Sequence, residues 1–116
     1  MSDQEKNTEN LKEVQQVGVI VKLSRPLLWE DVEYNELKLN FDELSGEDII
    51  DAEGEFIDFV AGKRNVLVAF KNEHPAYHAV LAAKAAGVHP NFMNKLKATD
   101  FMKVTGASKR FLNRMG

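Results

Sequence analysis

Apolar and polar positions change their period at Asn40–Glu53, the stretch NFDELSGEDIIDAE. Before it, Leu37, Leu39 and Phe41 alternate with Glu36, Lys38 and Asn40, the period of a strand with one buried face. After it, Ile49, Ala52 or Glu53, Phe56 and Val60 recur at three- and four-residue spacing, which sets them on one face of a helix. Ser45 stands at the change. Its hydroxyl can accept from the first free N–H groups of a helix, while Glu47, Asp48 and Asp51 place negative charge at the positive end of the helix dipole. The pattern predicts a strand up to Phe41 and a helix from about Gly46 to Val60. That helix closes near Gly62, a residue suited to the left-handed turn that ends helices.

Upstream, Gln16–Leu23 (QVGVIVKL) is short and rich in β-branched residues, which favours a strand. Ser24-Arg25-Pro26 interrupts it, because proline lacks the donor that a central strand position needs. Leu27 to Tyr34 resumes the extended pattern, with a tight turn near Glu30-Asp31, and leads into Asn35–Phe41. An antiparallel hairpin or meander over about residues 17–41 is expected. Trp29 and Tyr34 read as aromatic packing on one face of it, in preference to a ligand-stacking pair.

Downstream, Asn65–Phe70 (NVLVAF) fits either a further strand at 65–70 or a continued helix. His74-Pro75 is a sound helix start, since proline at the first helical position has no N–H to leave unpaired. The helix to Ala86 holds six alanines, small enough to let it lie close against a neighbour. Gly87 ends it, Val88-His89-Pro90 turns, a short helix spans about Asn91–Leu96, and Thr99 caps a last helix reaching Arg114. On that last helix Phe101, Val104, Ser108, Phe111 and Leu112 share a side. The expected fold class is α+β: the N-terminal hairpin or meander followed by three to four α-helices. Residues 1–15 read as a flexible polar tail and 16–116 as a single α+β domain.

Composition narrows the function more than the fold. The 116 residues, 44% hydrophobic and 28% charged, suit one soluble domain with a modest core. The absence of cysteine excludes a disulfide framework, thiolate chemistry and a cysteine-ligated zinc site. No apolar run approaches the roughly 20 residues of a membrane span, and MSDQEKNTEN is too polar for a signal peptide, so a cytoplasmic location is expected. The net charge of −3 conceals two opposed halves. Residues 1–60 hold 5 basic and 16 acidic residues, a formal −11, whereas 61–116 hold 10 and 2, a formal +8. Two solvated faces of one domain are the plainer reading. The sharper one is that an acidic face built from Glu47, Asp48, Asp51, Glu55 and Asp58 attracts the basic face of another copy, giving head-to-tail self-association.

No constellation points to catalysis. His74 and His78 are four apart, a spacing that can bring two imidazoles to one metal, but no carboxylate at a matching helical position completes a site. Surface or capping roles suit His74, His78 and His89 better. The carboxylates between Glu47 and Asp58 cluster as a solvated helix face, whereas a general acid needs a pocket that raises its pKa. No phosphate loop, nucleophile elbow or zinc-protease motif occurs. Neither an enzyme, a metal nor a cofactor is expected. The strongest alternative is a helix-turn-helix lookalike over residues 76–97. There Ala83, Gly87 and Met93 supply the small, turn and apolar positions of a small DNA-binding protein. Pro90 in the turn and a short second helix with Lys95 as its one charge argue against it.

Four stretches together carry a family resemblance: VKLSRP, LNFDELSGEDIIDAE, AVLAAKAAGV and LKATDFMKVTGASKRFL. Over about Val19 to Leu112 the chain resembles the tail assembly chaperones of long-tailed bacteriophages, a group that includes the Mu-like tail proteins. Leu44, Ser45, Gly46 and Asp48-Ile49 match the step from the last strand into an acidic helix. Leu96, Ala98, Asp100 and Phe101, with the closing Phe111-Leu112, match in order. NVLVAF and the first fifteen residues have no counterpart in the family pattern.

The resemblance implies a binding function without cofactor or chemistry. Such proteins hold the long, aggregation-prone tape measure protein before the tail tube polymerises around it, and leave before the virion is complete. It also implies work in the host bacterial cytoplasm, with the tail tube protein as a further partner, and this chain is similar to the shorter of two forms made by frameshifting. On that reading Lys103, Lys109, Arg110 and Arg114 steer a client, while exposed parts of Phe101, Phe111 and Leu112 anchor it.

Overall fold

The computed structural model describes residues 18–62 and 73–115, so the expected tail at 1–15 and the segment 65–70 lie outside the described residues. Strand β1, Val19–Trp29, and strand β2, Val32–Leu39, form an antiparallel hairpin. Its two-residue turn is Glu30-Asp31, with φ of 49° and 66° at the two positions, the backbone that matches the twist of paired strands. The interruption expected at Ser24–Pro26 does not end the strand. Instead the register shifts between Lys22, opposite Glu36, and Leu27, opposite Tyr34, so the proline sits in an irregularity where no ladder donor is missed. The inward face carries Val21, Leu37 and Leu39, all buried.

A 3-10 turn at Phe41–Glu43 leads into helix α1, Gly46–Val60. Ser45 caps it as its sequence implies: the Ser45 hydroxyl accepts from the Asp48 N–H at 3.1 Å and the Asp48 carboxylate accepts from the Ser45 N–H at 2.8 Å. Helix α2, Pro75–Ala86, opens on His74, whose Nδ1 accepts from the Ala76 N–H at 3.0 Å, and closes at Gly87 in the left-handed region. The short helix expected at Asn91–Leu96 is a 3-10 helix, Pro90–Lys95, capped in the same way by His89 Nδ1 on the Asn91 N–H. Helix α3 is Ala98–Met115. Thr99 therefore lies inside the first turn and is not its cap; the Lys97 carbonyl already accepts the Phe101 N–H at 2.8 Å.

Helix α2 lies at the centre, packed by α1 on one side, α3 on another and β2 above. Its alanines make this possible: Ala79, Ala82 and Ala83 are fully buried, and the backbones approach where a larger side chain would hold them apart. The hairpin is tied down at both ends. The Asn40 N–H donates to the Ala85 carbonyl at 3.1 Å. At the strand irregularity, Ser24 donates its N–H to both oxygens of Asp100 at 3.0 Å and its hydroxyl to one of them at 2.9 Å. Asp100 is only 2% exposed, so this carboxylate owes its place in the core to those donors. Trp29 and Tyr34 do pack on one face of the hairpin. They meet through Phe92, edge-on to it at centroid distances of 5.7 and 5.0 Å, and are not paired with each other across the strands.

Candidate functional site

Helix α3 is held from its inner side by Asp100, Val104, Ala107, Ser108 and Phe111, all buried, with the Ser108 hydroxyl donating to the His78 carbonyl at 2.7 Å. That anchoring fixes what the outer side presents. Met102 is 67% exposed, and Lys103, Lys109, Arg110 and Arg114 are exposed along the same helix. Beside this strip Gly18, Val19, Phe41, Ala107, Arg110, Phe111 and Arg114 line an open groove of about 420 Å³. Its floor is the stacked ring pair Phe41 and Phe111, centroids 4.9 Å apart and 15° from parallel. Arg110 and Arg114 stand one helical turn apart on its wall. Gly18 stands at its edge with φ of +102°; a Cβ there would lie 2.1 Å from the Leu39 carbonyl oxygen, so no side chain fits. A second groove of about 360 Å³, reaching Ser45, Gly46 and Ile49, shares the Phe41 and Phe111 rings.

The site residues expected on α3 divide by burial. Lys103, Lys109, Arg110 and Arg114 are exposed, Phe101 and Leu112 are half-buried, and Phe111 is 8% exposed, a groove floor and core residue in one. Lys103 stands 3.8 Å from the buried Asp100, and Arg114 reaches Asp42 at 3.5 Å, a long exposed contact that costs little to break. Of the acidic face on α1, Glu47, Asp51 and Asp58 are exposed. Asp48 is engaged in the cap, and the Ser45 N–H holds its carboxyl below the usual carboxylate range. Glu55 pairs with Lys84 of α2 at 2.8 Å, which pushes the lysine up.

Sequence reasoning missed the apolar members of these surfaces. Ile50 is 71% and Ile57 55% exposed on α1, with exposed Gly54 between them. The signal was legible, since Ile50, Gly54 and Ile57 recur at i, i+4 and i+7 beside the core stripe. Nothing in the described residues lies within 4 Å of a Cβ on Gly54, so the close helix contact that would account for a mid-helix glycine is not made among them.

A larger open cavity, about 510 Å³, lies between α1 and the turn after α2 and includes Glu55, Asp58, Lys84 and His89. Glu55 and Lys84 satisfy each other in it, and His89 Nδ1 is taken by its own helix cap, so these groups hold the fold. Among the described residues no three His, Asp or Glu side chains are placed to hold a metal ion, and no helix is long and apolar enough to cross a membrane. The helix-turn-helix alternative lacks its second helix: Pro90–Lys95 is 3-10, and Phe92 and Met93 are buried in the core.

The model of a family described as "Phage tail assembly chaperone proteins, E, or 41 or 14" matches residues 20–113, spanning the hairpin and all three helices. No curated protein and no solved structure matches the chain.

Proposed function

The chain belongs to the phage tail assembly chaperone family, and on that basis we propose that it binds the tape measure protein during tail morphogenesis, without catalysis. The observation that supports this reading is the outer side of α3, where exposed cations border a groove with an apolar floor. Lys103, Lys109, Arg110 and Arg114 give a field that speeds encounter with an acidic client segment, while Phe41 and Phe111 offer apolar surface to its side chains. The tail tube protein is a second partner on the same reading. The chaperone acts in the host bacterial cytoplasm and departs before the virion is complete.

Co-expression with the tape measure protein tests this. The expected result is that the client stays soluble and co-purifies with the wild-type chain, and that Lys109→Glu with Arg110→Glu lowers retention at least tenfold at unchanged melting temperature. A client equally soluble without this chain overturns the reading. Phe111→Ala is a poor probe, because emptying a core phenylalanine site costs about 3–5 kcal/mol of stability.

A further inference from the structure

A further cavity, about 350 Å³, opens at the other end of α3. Its cations are Arg25, Lys95 and Lys97, all exposed, and no ion pair among the described residues engages them. Pro26, Leu27 and Leu96 give it apolar surface. Its relation to the groove at Arg110 and Arg114 follows from the course of the chain. Strand β1 meets that groove with Val19 and this cavity with Arg25, Pro26 and Leu27. Helix α3 meets the groove with Arg114, Phe111 and Ala107, and this cavity with Asp100. Strand and helix therefore run side by side in opposite directions, and the two cavities are the ends of one seam. Asp100, Ala107, Phe111 and Arg114 follow at spacings of seven, four and three, so one face of α3 borders it throughout. Lys103 is exposed at the level between the ends.

We infer that this seam is a single docking track for an acidic segment of a protein client, gripped at both ends. Carboxylates of the segment meet Arg110 and Arg114 at one end and Arg25, Lys95 and Lys97 at the other, and its apolar side chains meet the rings and aliphatic groups beside them. Charge decides the occupant. Among the described lining residues of the two cavities the one acid is Asp100, which is buried, holds three hydrogen bonds from Ser24 and has Lys103 at 3.8 Å, so it does not repel an incoming carboxylate. A nucleic acid fits less well, because both ends carry apolar surface and the whole chain has a net charge of −3. Lys97 and Arg114 are 17 positions apart, hence about 26 Å along the helix at about 1.5 Å per residue, a length that about eight extended residues cover. The inference rests on the reading of α3 as the client face and adds the second, distant grip. It requires two acidic clusters about eight residues apart in the segment, where the groove alone would require one.

Synthetic peptides test it with no client present, so failure of the co-expression experiment leaves the result unaffected. Two fluorescein-labelled probes are titrated with the protein at low salt and followed by anisotropy. The long probe, of about twelve residues, has an aspartate pair near each end and leucines between; the short probe has one such end. The long probe is expected to bind about tenfold more tightly than the short one, because its second end binds at high effective concentration. Lys95→Gln with Lys97→Gln, both at exposed positions, should bring the long probe to the affinity of the short one, and Arg25→Gln should weaken it by about threefold. Circular dichroism checks that each variant is folded. A wild type that binds neither probe, or binds both alike, overturns the inference. So does a long probe indifferent to both sets of substitutions, and so does a single-stranded oligonucleotide of matching length that binds more tightly than the long probe.

Discussion

Asp100 carries the hairpin's attachment to the last helix. Replacing it with alanine removes three hydrogen bonds and leaves the Ser24 N–H without its acceptor, so the expected loss is about 3 kcal/mol in urea denaturation. Ser24→Ala, which keeps the N–H, should cost about 1 kcal/mol. Asp48 gives a pH signature. Its folded pKa is depressed from an ordinary 3.8, first by the Ser45 N–H, so its contribution is complete well above pH 4 and fades as the pH falls through the folded value. Melting curves of the wild type and Asp48→Asn should therefore converge as the pH is lowered from 6 to 2. The cap was legible in the sequence because Ser45 and Asp48 are three apart. The Ser24–Asp100 pairing was not. Two residues 76 positions apart give no local pattern, and a buried carboxylate in an otherwise basic helix reads as surface.

Among the elements, the strand-to-helix order and α1 follow from periodicity and capping, which are local. The misjudged pieces lie where tertiary contacts decide. Pro90–Lys95 winds as a 3-10 helix because Phe92 must reach Trp29 and Tyr34 while Met93 enters the same core. Helix α3 starts before Thr99 because Asp100 has to stand in its first turn to meet Ser24. Gly54 tests helix propensity at this scale. With open space around its Cβ position, Gly54→Ala should raise the free energy of unfolding by about 0.5–1 kcal/mol, through helix propensity and a less flexible unfolded chain. Urea denaturation of the two proteins measures it.

On the scale of the whole molecule, the acidic and basic halves of the sequence become two helices on different sides of α2, joined through a core that carries almost no charge. The proposed client contact then depends on ionic strength. Raising salt from 50 to 500 mM, which shortens the screening length from about 14 to 4 Å, should weaken it by about tenfold or more while leaving the melting temperature nearly constant. The clasp between Ser24 and Asp100 also sets an order in time. During synthesis the hairpin leaves the ribosome long before α3, and the carboxylate that locks its irregular strand follows Ser24 by 76 positions. The hairpin waits for α3, so a nascent chain arrested before Asp100 should remain protease-sensitive throughout β1. The groove that Val19 and Phe41 share with Phe111 is likewise assembled only once α3 has been made.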